Sequence, residues 1–347
     1  MNILKKMSVL MLTFAMLFTF SACGSKTDVG SQGESQGVDG EIVWDCQFLD
    51  SSSHPMIILM REWSDKLYEE TDGRLKVNIR VGGELPFTTS EYLDAVSNGS
   101  IQMAGCMVTA ISSYLQAGGL TSVPFLVTDV ESYETVMDIL NPYVDEELSS
   151  YGVFNALNLF YPTQDIYGSG ATPSSYKDLQ GLKLRTSGAE QAKFWQNVGL
   201  LPSSIDASEV SSALNTNVIN GVTTATMAVE MNKWYESLDW VYMCYPMLSP
   251  VYTVVNQSAF DSLPSDVQEI FLKVCEEFNA TFNQRMQDYS DQSLANLEEL
   301  GLEVVYATEE ERDELRAIAM PQWDEYASTA GGKAEEALAA IKTALGY

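Results

Sequence analysis

Histidine is nearly absent from this sequence. Its 347 residues include one histidine, His54, and no spacing of cysteine and histidine typical of a zinc site. A catalytic pair of carboxylates remains an alternative among the 48 acidic residues, but no spacing singles out such a pair. We therefore expect no metal, no cofactor and no enzymatic activity. His54 itself precedes a predicted helix, and we expect a solvated helix-entry residue there; a pH sensor is the alternative.

Basic side chains are also scarce. Lysine and arginine total 19 against 48 aspartates and glutamates, which gives a formal net charge of −29. Nucleic acids and anionic lipid surfaces need a basic patch, so we expect neither as a partner. A small anionic ligand stays possible, because one buried arginine sets the local field whatever the surface charge is.

Cysteine pairs close in sequence are missing as well. Four of the five cysteines are far apart, mostly within apolar segments, and no Cys-x-x-Cys motif occurs: Cys46, Cys106, Cys244 and Cys275. An exported protein can pair its cysteines. Free cysteine behaves as a small hydrophobic residue, however, and we expect these four to be buried free thiols.

The sequence does contain an export signal at its start. Lys5 and Lys6 precede an apolar run, Met7 to Phe20, that is too short to span a bilayer comfortably. We predict a signal peptide over residues 1–22. The letters FSAC resemble a bacterial lipobox, which implies lipidation of Cys23 and anchoring on the outer face of the cytoplasmic membrane, or in the periplasm. An ordinary secretory signal and a transmembrane anchor are the alternatives.

A change of composition near Glu41 marks the start of the folded region. Residues 23–40 are rich in Gly, Ser and Gln, which predicts a flexible tether. Beyond them, strand-like runs such as IVWDCQF and RLKVNIRV alternate with amphipathic helical patterns such as MIILMREWSDKLYEE. This alternation is typical of an α/β fold with parallel strands.

Similar elements start again near residue 160, which predicts two α/β domains. VYTVVN, residues 251–256, reads as a strand that returns to the first domain. After it comes one helical pattern of more than 30 residues, about 50 Å long, with a predicted capping box at Ser265 and Gln268. We expect this helix to bridge both domains, in a two-lobed periplasmic-binding-protein-like (type II-like) fold with hinge strands. The predicted lobes are 41–162 with 251–285, and 163–250 with 286–347.

One arginine lies in an apolar strand pattern, GLKLRTSG. Leu182 and Leu184 indicate a strand with one buried face, and Arg185 falls near its end. A buried guanidinium without a partner is costly, so its site holds water, a ligand or an acid of the protein. An interlobe salt bridge and an anionic ligand are equally compatible with these residues alone.

The residues around Arg185 carry a family resemblance. Asp178, Leu179, Gly181, Lys183 and Arg185 match the pattern Asp-Leu-x-Gly-x-Lys-x-Arg. Matching positions continue in the same order with Gly199, Pro202, Glu209, Val210, Ala213, Leu214, Asn220 and Gly221. Together with TDGRLKVNIRVGGEL and VPFLVTDVES upstream, these runs resemble the extracytoplasmic solute-binding subunits of TRAP (tripartite ATP-independent periplasmic) transporters, DctP type. The resemblance covers roughly residues 41–345.

The resemblance implies capture of a small organic acid and its delivery to a membrane permease. It makes Arg185 the carboxylate anchor, a role suited to its planar fork of donors. Members that read dicarboxylates or sialic acid often carry a second arginine about 20 positions earlier, where this chain has Gln164 and Asp165. We therefore expect a monocarboxylate. Gln164 and Asp165 are candidate contacts, although a surface turn is as compatible with Asp165.

Other candidate ligand contacts follow from the same pattern. Thr223 and Thr224 follow the Asn-Gly pair where many members carry acidic or amide residues, and packing is their alternative role. Ends of strands at the cleft carry ligand contacts in such folds. This argument selects Trp44 and Tyr245 first, for which core packing is the alternative, and then Gln47 and Thr109 at lower weight.

Three other functions share this architecture or this export route. A binding lipoprotein for an ABC importer differs in its partner, and a sensory ligand-binding lipoprotein differs in what it reports to. An exported enzyme has little support in the sequence. We expect a monomer, because the acidic surface shows no dimer patch.

Overall fold

The computed structural model describes residues 40–347. The predictions for the signal peptide (1–22), for Cys23 and for the tether (23–40) lie outside these residues, apart from Gly40. Among residues 40–347 we find no helix with the length and hydrophobicity that a membrane span requires.

Eleven strands of the described chain form two sheets. They are β1 (Ile42–Gln47), β2 (Leu75–Arg80), β3 (Met103–Met107), β4 (Val153–Tyr161), β5 (Ile166–Gly168), β6 (Lys183–Thr186), β7 (Leu201–Ser204), β8 (Gly221–Thr223), β9 (Trp240–Met243), β10 (Ser249–Asn256) and β11 (Glu303–Tyr306). The first sheet has the order β2-β1-β3-β10-β4 and the second β11-β9-β5-β8-β6-β7. The predicted two-lobed α/β fold is confirmed; the predicted residue bounds of the lobes stay a prediction.

Helices cover the sheets. They are α1 (Pro55–Glu70), α2 (Tyr92–Ser97), α3 (Val108–Ile111), α4 (Val130–Ser149), α5 (Ala189–Val198), α6 (Val210–Asn215), α7 (Thr226–Met231), α8 (Gln257–Asp261), α9 (Ser265–Glu299), α10 (Glu309–Ala330) and α11 (Gly332–Leu345). Helix α5 ends at Gly199, whose φ of +102° suits a residue without Cβ.

Two short segments, residues 162–165 and 244–248, carry the chain between the sheets; we call them the crossing segments. Each leads into the antiparallel strand of the next sheet, β5 after the first and β10 after the second. The amino ends of β5 and β10 therefore lie at the edges where the other strands of their sheets end. Consequently the carboxyl edges of both sheets face each other across the crossing segments, which is where α/β sheets bind ligands.

Helix α9 is the third connection between the lobes. It packs against α1 and β4 of the first lobe and against α7 of the second. Its buried residues form one apolar stripe that includes Val267, Phe271, Val274, Phe278 and Phe282. The predicted bridging helix is present.

The predicted capping box of α9 is wrong. Pro264 is the N-cap and has no side-chain cap bond. The Gln268 amide instead donates to the carbonyl oxygens of Phe260 (3.2 Å) and Leu263 (3.0 Å). The preceding turn offers acceptors within its reach, so Gln268 ties α8 to α9. The four cysteines beyond the leader are buried and free, as predicted.

Candidate functional site

Arg185 lies at the carboxyl end of β6, between β7 and β8. It is 7% exposed, and its Nε donates to the carbonyl oxygen of Ile205 at 2.8 Å. Within residues 40–347 no carboxylate forms an ion pair with it, so the interlobe salt bridge is not formed. Burial lowers the pKa of Arg185 from its ordinary value, and the nearby Asp206 charge opposes that shift. The guanidinium thus lies desolvated at the edge that faces the first sheet.

Thr223 and Thr224 are buried beside the first crossing segment. The Thr223 hydroxyl donates to the carbonyl oxygen of Gln164 at 2.6 Å, and the Thr224 amide donates to that of Asp165 at 3.1 Å. The Gln164 side chain donates to the carbonyl oxygen of Pro162 at 2.8 Å. The donor groups of Thr223 and Gln164 therefore serve the crossing segment itself.

Asp165 is fully buried, and the surface turn considered for it is wrong. Its Oδ1 accepts from the amides of Cys244 (2.8 Å) and Tyr245 (2.7 Å), and its Oδ2 accepts from the Thr163 hydroxyl (2.8 Å). Burial raises the pKa of Asp165 to about 6, and the three hydrogen bonds counteract the rise. Asp165 therefore joins the two crossing segments to each other.

Tyr245 follows β9 in the second crossing segment, with a left-handed φ of +52°. Burial, and then the Asp165 charge, raise the pKa of Tyr245 to about 12. The ring lines a cavity of about 370 Å³ with Thr163, Thr226, Ser290 and one face of α9. Arg185 does not line this cavity. Strands β5 and β8 separate β9 from β6, a lateral distance of roughly 14 Å at ordinary strand spacing.

The packing of Trp44 does not support its predicted ligand contact. Its ring is 3% exposed and meets Phe271 of α9 edge to face, with centroids 5.8 Å apart. Helices cover both faces of the sheet, so a mid-strand side chain of β1 enters the core.

Gln47, at the end of β1, is fully buried. Its amide donates to the carbonyl oxygens of Phe48 (2.6 Å) and Val81 (3.0 Å). This side chain braces the loop after β2. Its Oε1 is buried without a partner among the described residues.

Thr109 lies beside the Arg185 strand end. A Cβ placed on Gly188, three residues after Arg185, would lie 3.4 Å from the Thr109 Cβ. Thr109 follows β3 in the first lobe, whereas Gly188 precedes α5 in the second. The two lobes thus meet three residues beyond the predicted anchor.

The sequence argument missed a buried cluster at the carboxyl ends of β1 and β4. His54 is 8% exposed rather than solvated: its Nδ1 accepts from the Met56 amide at 3.1 Å and lies 3.5 Å from Asp50. The Tyr161 hydroxyl donates to Asp50 at 2.5 Å. Burial raises the pKa of Asp50. The His-Pro pair before α1 was the available signal, since an N-cap side chain precedes proline at the first helical position.

A family model, that of the bacterial extracellular solute-binding protein family 7 (DctP), matches residues 48–329. The chain belongs to this family. The predicted relation to the extracytoplasmic solute-binding subunits of TRAP transporters is therefore confirmed, and the protein is such a solute-binding component.

Individual relatives are distant but cover most of the chain. A solute-binding protein of Sulfitobacter sp. (strain NAS-14.1) is 26% identical over 294 residues, 83% of this chain and 87% of that protein. The C4-dicarboxylate-binding periplasmic protein DctP of Vibrio cholerae is 22% identical over 290 residues, 83% of this chain and 86% of that one. The crystal structure of Bordetella pertussis DctP7, a receptor binding pyroglutamic acid, has a TM-score of 0.80 at 20% identity and covers 87% of this chain and 99% of its own. This likeness shows the fold.

Proposed function

We propose that the protein captures a small monocarboxylate between its lobes, with Arg185 as the anchor, and delivers it to a TRAP permease. One observation carries the proposal: a guanidinium that is 7% exposed uses one nitrogen on the protein and has no ion pair among the described residues. A ligand carboxylate accepts a bidentate pair from the remaining donors and offsets the cost of burying the charge. No bond is made or broken.

The charged residues near Arg185 favour a ligand with one carboxylate over a ligand with two. The position where related dicarboxylate readers often carry a second arginine is occupied here by the inward-facing Gln164 and Asp165. A ligand with a second anionic group would therefore meet an amide and a carboxylate at this position instead of a second arginine. Thr109 of the first lobe lies next to Gly188, three residues after Arg185, so its hydroxyl is a candidate contact for a neutral polar group of the ligand.

A thermal-shift screen tests this function. Pyroglutamate, gluconate, butyrate and succinate form a first panel. A ligand at 100 times its Kd stabilises the folded state by about 2.7 kcal/mol, which raises the Tm by a few degrees. We expect a monocarboxylate to raise the Tm of the wild type and to have no effect on Arg185→Ala.

Arg285→Ala is the matched control, because Arg285 pairs with Glu62 on the outer face of α1 and α9. This variant keeps the ligand-induced shift. A shift that persists in Arg185→Ala contradicts the anchor, and it leaves Arg185 a structural residue.

We further propose that the protein acts as a monomer that is held on the outer face of the cytoplasmic membrane by a lipid on Cys23. Support comes from the apolar run before FSAC and from the polar tether after it. Cys23→Ser should move the protein from the membrane fraction to the soluble fraction. Retention of that variant in membranes refutes the lipid anchor.

A further inference from the structure

Asp165 carries a buried charge that no cation of the described chain neutralises. It is 0% exposed and forms no ion pair within residues 40–347, and Arg185 is not among the groups that act on it. The titratable groups that face it are Tyr167, Cys244 and Tyr245, all neutral in their ordinary state. Glu311 and Arg312 act on Cys244, one of each sign.

The hydrogen bonds of Asp165 do not require this charge. A neutral asparagine in the same place accepts both backbone amides on its Oδ1 and offers its amide group to the Thr163 hydroxyl, which can accept as well as donate. The carboxylate makes the same contacts at a cost in desolvation, which is why its pKa is raised to about 6. The hydrogen bonds that join the two crossing segments therefore do not explain why this residue carries a negative charge.

The ligand site is within reach of this charge. Asp165 lies opposite Thr224. Thr224 is two residues beyond Val222 of β8, and Val222 pairs with Arg185 of the neighbouring strand β6. Two strand spacings sideways and two residues along the strand place the Cα atoms of Asp165 and Arg185 roughly 12 Å apart. The Arg185 side chain binds the Ile205 carbonyl oxygen after β7, and the Asp165 carboxylate binds amides after β9, so the two charged groups point away from each other. The far end of a small acid held by the Arg185 fork then lies roughly 10 Å from the Asp165 charge.

We propose that Asp165 is a specificity-determining residue, whose negative charge excludes acids that bring a second anionic group towards the crossing segments. The inference rests on the proposed function of Arg185 as carboxylate anchor. Two like charges about 10 Å apart near a protein surface repel strongly enough to lower affinity by roughly tenfold. A second carboxylate would also displace water without gaining a cation.

Butyrate and succinate test the proposal because they differ by one carboxylate. Affinities of the full-length protein for both acids are measured by calorimetry at pH 7.5 and pH 5. We expect Asp165→Asn to raise the ratio of succinate affinity to butyrate affinity by about tenfold at pH 7.5. The wild-type ratio should approach that of the variant at pH 5, where Asp165 is protonated; comparison at equal pH cancels the protonation of succinate itself.

Asp178→Asn is the matched control, since Asp178 is an exposed carboxylate bound to Ser174. It should leave the ratio unchanged. An equal ratio in wild type and Asp165→Asn overturns the proposal, and so does failure of the correctly folded Asn variant to bind succinate. Arg185→Ala separates the two claims: it should abolish binding of both acids alike, whereas a retained preference in that variant means that the anchor, not Asp165, was misassigned.

Discussion

The guanidinium of Arg185 is where single-residue chemistry decides function. Its charge survives burial because arginine keeps its proton under all ordinary conditions. The strand places it at the edge facing the first lobe, and among residues 40–347 only the Ile205 carbonyl oxygen accepts a hydrogen bond from it. We therefore expect ligand affinity to depend on the planar shape of the guanidinium as much as on its charge.

Substitution of Arg185 by lysine tests the shape of the donor. An ammonium keeps the charge and loses the planar fork, so Arg185→Lys should bind the monocarboxylate more weakly than wild type, and Arg185→Ala should be weaker by roughly 100-fold or more. Titration calorimetry with the acid identified in the screen measures both. Equal affinity of wild type and the Lys variant would show that charge alone suffices.

Asp165 predicts a pH dependence of stability with a definite sign. Its pKa is about 6 in the folded protein against an ordinary value of 3.8, so the folded state binds more protons between these values. Stability contributed by the protonated group is complete below pH 4 and is lost as the pH rises through 6. Between pH 4 and pH 7 the wild type should lose about 3 kcal/mol relative to Asp165→Asn.

Urea unfolding of both proteins across this pH range measures the difference. The other carboxylates titrate in both proteins and cancel in the comparison. A difference that is constant with pH would mean that Asp165 titrates alike in the folded and unfolded chains.

At the scale of elements, helix α9 stabilises both lobes through its buried stripe. Phe271 is fully buried and meets Trp44, Trp63 and Phe260 edge to face, whereas its neighbour Leu272 is 49% exposed. Phe271→Ala should lower the free energy of unfolding by about 3–5 kcal/mol, and Leu272→Ala by less than about 1 kcal/mol. Denaturant unfolding of both variants checks this. Similar losses in both variants would contradict the burial of Phe271 and the exposure of Leu272 on α9.

Strands and helices could be predicted from the sequence where apolar side chains repeat with a clear period. Strand β1 and helix α1 follow their apolar patterns, and Gly199 ends α5 as its conformational freedom suggests. The start of α9 differed because the capping box depends on which acceptors lie near Gln268, and the α8 turn supplied them. Sequence spacing alone does not contain that contact.

At the scale of the whole molecule, the net charge of −29 opposes the approach of an anionic ligand. Added salt screens this repulsion, so the association rate of the monocarboxylate should rise severalfold between about 10 mM and 150 mM salt. Stopped-flow tryptophan fluorescence measures the rate. A rate that falls with salt would show that the local field of Arg185 outweighs the surface charge during approach.

The sequence by itself determined the α/β class, the two lobes, the bridging helix, the free buried cysteines and the family. These features follow from periodic patterns and from a motif that runs in order along the chain. Tertiary structure alone decided the roles of Asp165, His54, Gln47 and Trp44. Whether a polar side chain meets ligand, solvent or backbone depends on donors and acceptors brought from distant segments. The amides of Cys244 and Tyr245 lie about 80 residues from the carboxylate they bind, and no local pattern records such a contact.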